Sequence, residues 1–237
     1  MNKNNSLGFS LTILISGIII AGAIFISRTN FIGEFFNDRK ETEFTEEAPK
    51  IQPITKDDHI LGNPDADVII IEYSDFECRF CKEFHTTMRR IMDDYGADGR
   101  VAWVYRQLPL DEIHINARRI SLTSECIAKN GGNAKFWEFT NNVFDNAPAS
   151  ILKINTDQIV ANLGFNIEEI DLCTQKPETI LAVENDLKDA EYFKEIDPEF
   201  GTPYNIIITK TGLSSNISGS ISYQALKDII EQHSFSF

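Results

Sequence analysis

The chain has 237 residues, 42% of them hydrophobic, enough for one packed domain with segments to spare and too apolar for wholesale disorder. Its 22 Lys and Arg stand against 36 Asp and Glu, a formal net charge of −14. So acidic a chain repels phosphate backbones; nucleic acid is not an expected partner, and the acidity reads first as solubility.

After a short tail, residues 1–6, comes a segment at 7–26 without a charged side chain, including Ile13-Leu14-Ile15 and Ile18-Ile19-Ile20-Ala21. As a helix this length rises about 30 Å, the thickness of a bilayer's hydrocarbon core. The segment reads as an uncleaved transmembrane anchor. A secretory signal peptide is the alternative, with Ala21-Gly22-Ala23 as a small-x-small cleavage site, although Ile24-Phe25-Ile26 prolongs the apolar run beyond it. A buried core helix fits poorly, because the segment is apolar on every face. Residues 27–56 read as an acidic linker. Glu34, Asp38, Glu41, Glu43, Glu46 and Glu47, with Pro49 and Pro53, leave little apolar periodicity, a composition that stays extended and solvated.

The folded part starts near residue 57. Asp67-Val68-Ile69-Ile70-Ile71-Glu72-Tyr73 is a nearly continuous apolar run, expected for a strand buried on both faces. From Cys78 to about Tyr95 the period turns helical, with Phe80, Phe84, Met88, Ile91 and Met92 spaced by three and four. Residues 101–105 are a second strand, which completes a βαβ unit. Helices are expected at 117–130, stopped by Gly131-Gly132, and at 135–146, where Phe136, Trp137, Phe139 and Phe144 read mainly as core. Shorter helices follow at 156–163, capped by Thr156 or Asp157, and at 167–175; a longer one runs over 177–193 with Pro177 near its start. Strands at 204–209 and 213–218, joined through Lys210-Thr211-Gly212, form a hairpin, and residues 222–232 close the chain as a helix. This order predicts an α/β fold: one mixed sheet with a helical block inserted at about 112–195.

Four cysteines, Cys78, Cys81, Cys126 and Cys173, are too few for a disulfide-built miniature fold and suit one redox pair with at most one structural bridge. The chemistry centres on Glu77-Cys78-Arg79-Phe80-Cys81-Lys82, at the junction of strand and helix. Two residues between cysteines at a helix start let the sulfurs approach. The first faces unpaired N–H groups and the positive end of the helix dipole, which favour its thiolate. Arg79 should favour the thiolate further; Glu77 and Asp75 should oppose it. A zinc site would need more ligands than Cys78, Cys81 and His85, and no second C-x-x-C exists. Covalent haem attachment would want His where Lys82 stands. A purely structural bridge closing so small a loop would add little stability. His85, four residues after Cys81, could tune the thiolate, but packing is the simpler role.

Tyr73-Ser74-Asp75-Phe76-Glu77-Cys78-Arg79-Phe80-Cys81, with Glu72 six residues before Cys78 and Gly201-Thr202-Pro203 before a late strand, resembles the DsbA branch of the thioredoxin superfamily. The helices at 117–130 and around Phe136-Trp137 resemble that family's inserted domain. The resemblance covers residues 57–237 and implies a thioredoxin-like fold and a thiol–disulfide oxidoreductase of the cell envelope. It implies Cys78 as the attacking sulfur, Cys81 as the resolving one, and Glu72 as a buried acid relaying a proton to Cys81. Thr202 and a cis Pro203 would dock the substrate chain, with Arg79 and Phe80 beside them. Where relatives carry Pro or His between the cysteines, this chain has Arg79-Phe80. Cys126 and Cys173 would form a second, structural bridge as in some relatives, or stay two buried thiols.

The expected substrates are unfolded or reduced envelope proteins. The expected partner is a membrane redox protein: a quinone-linked reoxidant for an oxidase, or an electron donor for a reductase or isomerase with the same residues. A non-catalytic chaperone or binding module on the same fold is the alternative from another class. No cofactor or metal is implied. The expected location is the cell membrane, with the domain outside the cytoplasm, or the exterior after signal cleavage.

Overall fold

The computed structural model describes residues 43–146 and 154–234. The apolar segment expected at 7–26 and the first part of the linker lie outside them. Among the described residues no helix is long and apolar enough to cross a membrane.

Five strands form one sheet in the order β1-β3-β2-β4-β5. They are β1 (His59–Gly62), β2 (Val68–Ser74), β3 (Val101–Gln107), β4 (Tyr204–Thr209) and β5 (Ser214–Ser218). β2 and β3 run parallel; β1 on β3, β4 on β2 and β5 on β4 run antiparallel, giving the mixed sheet expected from the element order. The crossover between β2 and β3 is helix α1 (Arg79–Ile91), which opens into a π-helical turn at Met92–Gly96 where one continuous helix was expected. Tyr95 stays buried on that turn.

The inserted block comprises α2 (Ala117–Gly131), α3 (Asn133–Asn146), α4 (Thr156–Asn162), α5 (Ile167–Thr174) and α6 (Pro177–Ile196); α7 (Tyr223–His233) ends the described fold. Gly132, with φ 78°, makes the break between α2 and α3 in a conformation that suits only glycine well. The caps of α4 and α5 are Asn155 and Asn166, whose side chains accept from Gln158 N and Glu169 N. Thr156, expected as a cap, is instead the first helical residue and points into the protein, because Asn155 just ahead of it already satisfies the free N–H.

Alternation along the strands assigns the two faces. Val68 and Ile70 of β2, with Val101, Trp103 and Tyr105 of β3, join Phe84 and Met88 of α1, Leu226 and Ile230 of α7, and Phe136, Trp137 and Phe144 of α3 in the main core. Ile71 and Tyr73 with Val104, Tyr204 and Ile206 meet Ala190 and Phe193 of α6 on the other face. Glu72 shares parity with Val68 and Ile70, so the strand that builds the core also drives a carboxyl into it.

Two segments depart from expectation. β1 was not anticipated: it is a short strand whose partner on β3 lies more than forty residues away, and only Ile60-Leu61 marks it locally. The last part of the linker runs extended along the domain, most of its residues exposed and a few side chains packed against it. Thr45 exchanges both backbone hydrogen bonds with Ser214 at 2.8 Å, Gln52 N donates to Asp189, and Phe44, Ile51 and Ile54 pack on the two cores. These apolar residues show no helical or strand period because they bury singly. Asp58 and Asp189 flank buried Arg106 at 2.9 and 2.5 Å, which fastens this strap to β3 and α6.

Candidate active site

β2 ends at Ser74, and residues 75–77 turn the chain into α1, leaving Cys78 at the N-cap with φ −78° and ψ 123°. Cys78 is 7% exposed and Cys81 is wholly buried; both are free thiols. The Cys78 Sγ–H donates to the carbonyl of Thr202 at 3.2 Å, and Asp75 N donates to Cys81 Sγ at 3.4 Å. The Thr202–Pro203 bond is cis, and the Cys78–Thr202 contact brings this segment and the cysteine pair together at one end of the sheet.

The two sulfurs are unlike. The hydrogen bond from the Cys81 thiol pushes Cys78 down to about 6; burial opposes this, while Thr202 and the N–H groups of Cys81 and Phe80 add to it. Burial, Cys78 and the charge of Glu72 push Cys81 well above the ordinary thiol value, against the hydrogen bond from Asp75 N. At neutral pH the reduced pair therefore holds its negative charge on Cys78 and a proton on Cys81.

Glu72 is fully buried beneath the pair. Burial raises its pKa to about 8, although Ser74 Oγ donates to Oε1 at 2.6 Å and Trp103 Nε1 donates to Oε2 at 3.0 Å. Its charge acts on Cys81, which makes it a carboxyl able to trade a proton near neutral pH beside the sulfur that needs one.

Asp75 and Glu77 are both held by hydrogen bonds. Each carboxylate is engaged by donors from residues 110–116. Asp75 accepts from Glu77 N and Leu110 N, both at 2.7 Å, and from His114 Nδ1 at 2.9 Å; Glu77 accepts from Asn116 N and Nδ2 at 2.7 and 2.9 Å. These bonds fasten the β3–α2 connection to the reactive turn. Arg79 and Phe80 are the exposed members of the motif. The guanidinium lies 4.7 Å from the Phe80 ring centre and 3.9 Å from Glu83.

His85 is a packing residue. It is buried, tilted against Trp103 and Phe144, and bonded to Asn141 at 2.8 Å; burial pushes its pKa down to about 4. Cys126 and Cys173 are joined by a disulfide between α2 and α5. Among the described residues no group of three or more His, Cys, Asp or Glu could hold a metal ion. Ser74, Trp103, Tyr105, His114 and Asn116 escaped the sequence reading. Trp103 and Tyr105 fell in the strand expected at 101–105 and Ser74 in the quoted motif, whereas His114 and Asn116 carried no signal.

The sheet order and the two thiols at the mouth of a helix define a thioredoxin-like domain with a C-x-x-C pair at its strand–helix junction. A family model described as thioredoxin matches residues 54–232, and the chain belongs to that family. Disulfide bond formation protein D of Bacillus subtilis is 27% identical over 199 residues, 81% of this chain and 84% of that protein. The crystal structure of alpha-DsbA1 from Wolbachia pipientis superposes with a TM-score of 0.63 at 21% identity, covering 76% of this chain and 92% of that one. Na(+)/H(+) antiporter NhaA 1 of Mycolicibacterium vanbaalenii is 29% identical over 144 residues, 60% of this chain. The chain spans only 12 to 22% of the length of that antiporter and two similar ones.

Proposed function

We propose that the protein transfers disulfides to polypeptide thiols outside the cytoplasm, through Cys78 and Cys81. One observation carries this reading: two free thiols at the mouth of α1, Cys78 just reaching the surface and bonded to Thr202, Cys81 wholly buried, with the buried carboxyl of Glu72 beneath them; the shifts of the three groups agree with it. A substrate thiolate attacks Cys78 Sγ of the joined pair. The Cys78–Cys81 bond breaks, a mixed disulfide forms, and Cys81 leaves with the proton of Glu72. A second substrate thiolate then attacks the substrate sulfur, forms the substrate disulfide and expels Cys78 as its stabilised thiolate. Two electrons pass to the pair and two protons leave the substrate. Thr202 and Pro203, with exposed Arg79 and Phe80, line the approach to Cys78 and hold the substrate chain.

The Cys126–Cys173 bridge favours an oxidising compartment, since such bridges are rare where thiols are kept reduced. We read the apolar segment at 7–26 as the anchor that keeps the domain at the membrane, where a quinone-linked partner would take up the two electrons and restore the pair. The test is transfer to a reduced, unfolded protein. Cys78→Ser should abolish it, and Cys81→Ser should accumulate a mixed disulfide that gel electrophoresis without reductant resolves. Full transfer by Cys78→Ser would refute the assignment.

A further inference from the structure

Tyr105 is the register partner of Glu72 in the parallel ladder of β2 and β3, and it belongs to the main core that also holds Cys81. Its ring is fixed by neighbours, stacked on Phe76 with centroids 5.3 Å apart and edge-on to Phe136 and Trp137 at 5.4 and 6.3 Å. Its buried hydroxyl makes no hydrogen bond of good geometry; it lies beside Ser74, close enough to interact, and near Glu72, Cys81 and Asp75. Ring packing gives no reason for that oxygen: phenylalanine would fill the same space, and a buried hydroxyl without a well-formed bond is a net cost. The only proton of Ser74 Oγ is committed to Glu72, so this oxygen is left with lone pairs to offer.

We propose, on the exchange reading above, that Tyr105 is a positioning residue for proton transfer between Glu72 and Cys81. As Glu72 gives its proton to the Cys81 sulfur, it becomes a carboxylate. The Tyr105 hydroxyl then donates to Ser74 Oγ, which donates to Glu72. One proton moves, from the Glu72 carboxyl to Cys81 Sγ; Ser74 and Tyr105 keep theirs. A hydroxyl donating to Ser74 Oγ strengthens the bond that Ser74 donates to Glu72, and that gain is larger for the carboxylate than for the neutral acid, so it favours the transfer. The titratable groups around Glu72 are Cys78 and Cys81 from α1, Asp75 beyond the end of β2, and Tyr105 itself from β3. His85 of α1 lies behind Trp103, β4 presents Asn205 opposite Glu72, and α3 contributes the aromatic wall of Phe136 and Trp137.

The test is the rate at which dithiothreitol reduces the Cys78–Cys81 disulfide of the full chain between pH 5 and 9, corrected for reagent thiolate. Tyr105→Phe removes one oxygen that makes no bond of good geometry. Its thermal midpoint should equal or exceed the parent's, while reduction below pH 7 slows about fivefold, the worth of one hydrogen bond to a charged network. Ser74→Ala should slow it as well, and adding Tyr105→Phe to Ser74→Ala should slow it no further. A Tyr105→Phe profile that overlays the parent's, or independent slowing in the double variant, overturns the role. A parent that fails to oxidise a reduced unfolded protein sinks the exchange reading itself, so the two failures are distinguishable.

Discussion

Glu72→Gln converts the buried acid into a measurable free energy. Glu72 has no solvent exposure, and burial is the chief cause that lifts its pKa from 4.5 to about 8, with Ser74 and Trp103 pulling the other way. A carboxyl whose folded value exceeds its unfolded one binds its proton more tightly in the folded state. Its contribution to stability is therefore whole below about pH 4.5, declines as the pH rises, and is lost once the pH passes about 8. At about 1.4 kcal/mol per pH unit, that interval corresponds to about 5 kcal/mol of folding free energy. Glutamine has nearly the same volume and cannot ionise. It offers one oxygen to Ser74 or Trp103 and turns an N–H towards the other, a cost of about 1–3 kcal/mol. The variant should be less stable than its parent by that amount near pH 4.5 and more stable by about 2–4 kcal/mol at pH 9. Urea unfolding would be followed in a Cys78→Ala, Cys81→Ala background, which needs no reductant and keeps the Cys126–Cys173 bridge. Other titrations cancel in the difference between variants. A difference that stays flat from pH 4.5 to 9 would refute the claim that a carboxyl is held neutral beneath the thiol pair.

Iodoacetamide should modify the reduced protein at Cys78 with a rate that climbs with pH to a midpoint near 6, as the thiolate forms, while Cys81 stays unmodified; peptide mass spectrometry checks both, and a midpoint above 8 contradicts the geometry at the mouth of α1. Replacing Cys126 and Cys173 together by serine opens a closed loop of sequence separation 47 and should remove about 4 kcal/mol of stability on the chain-entropy account, read from the urea midpoint. An unmoved midpoint would deny the bridge a structural role. Arg106→Met leaves Asp58 and Asp189 without their shared buried cation and should cost about 3–5 kcal/mol, part of which Asp58→Asn with Asp189→Leu restores. A cost below about 1 kcal/mol would mean that the strap at residues 44–58 hardly needs this clasp.

What could be read in the sequence was what is local in the chain. The apolar run from Val68 to Ile71, the helical spacing of Phe84, Met88 and Ile91, the Lys210-Thr211-Gly212 turn and the C-x-x-C at the strand–helix junction each carry their signal within a few residues. The connection from 108 to 116 has no period, yet Leu110, His114 and Asn116 supply the donors that hold Asp75 and Glu77 from more than thirty residues away. The bonds that hold those carboxylates were therefore out of reach of any local pattern. The state of Cys126 and Cys173 stayed open for the same reason: bond or no bond depends on how α2 packs on α5. Asn155 rather than Asp157 caps α4 because a cap is decided by a single residue's shift in register.

The division of labour between the two sulfurs follows from what lies behind each. Cys78 sits where α1 has N–H groups to spare, so its thiolate is stabilised by bonds that a disulfide cannot use. Joining the pair withdraws that stabilisation, which favours the reduced form and hence the passing of the disulfide to a substrate. Cys81 has only the N–H of Asp75. It is wholly buried near Glu72, where a thiolate finds little compensation, so on the proposed exchange a proton should arrive with the electrons. On the proposed exchange, the helix mouth governs how far the reaction runs, and the buried acid with Ser74 and Tyr105 governs how fast. The alternation of β2 joins the two functions: the parity that fills the core with Val68 and Ile70 also puts Glu72 under the sulfur that needs its proton.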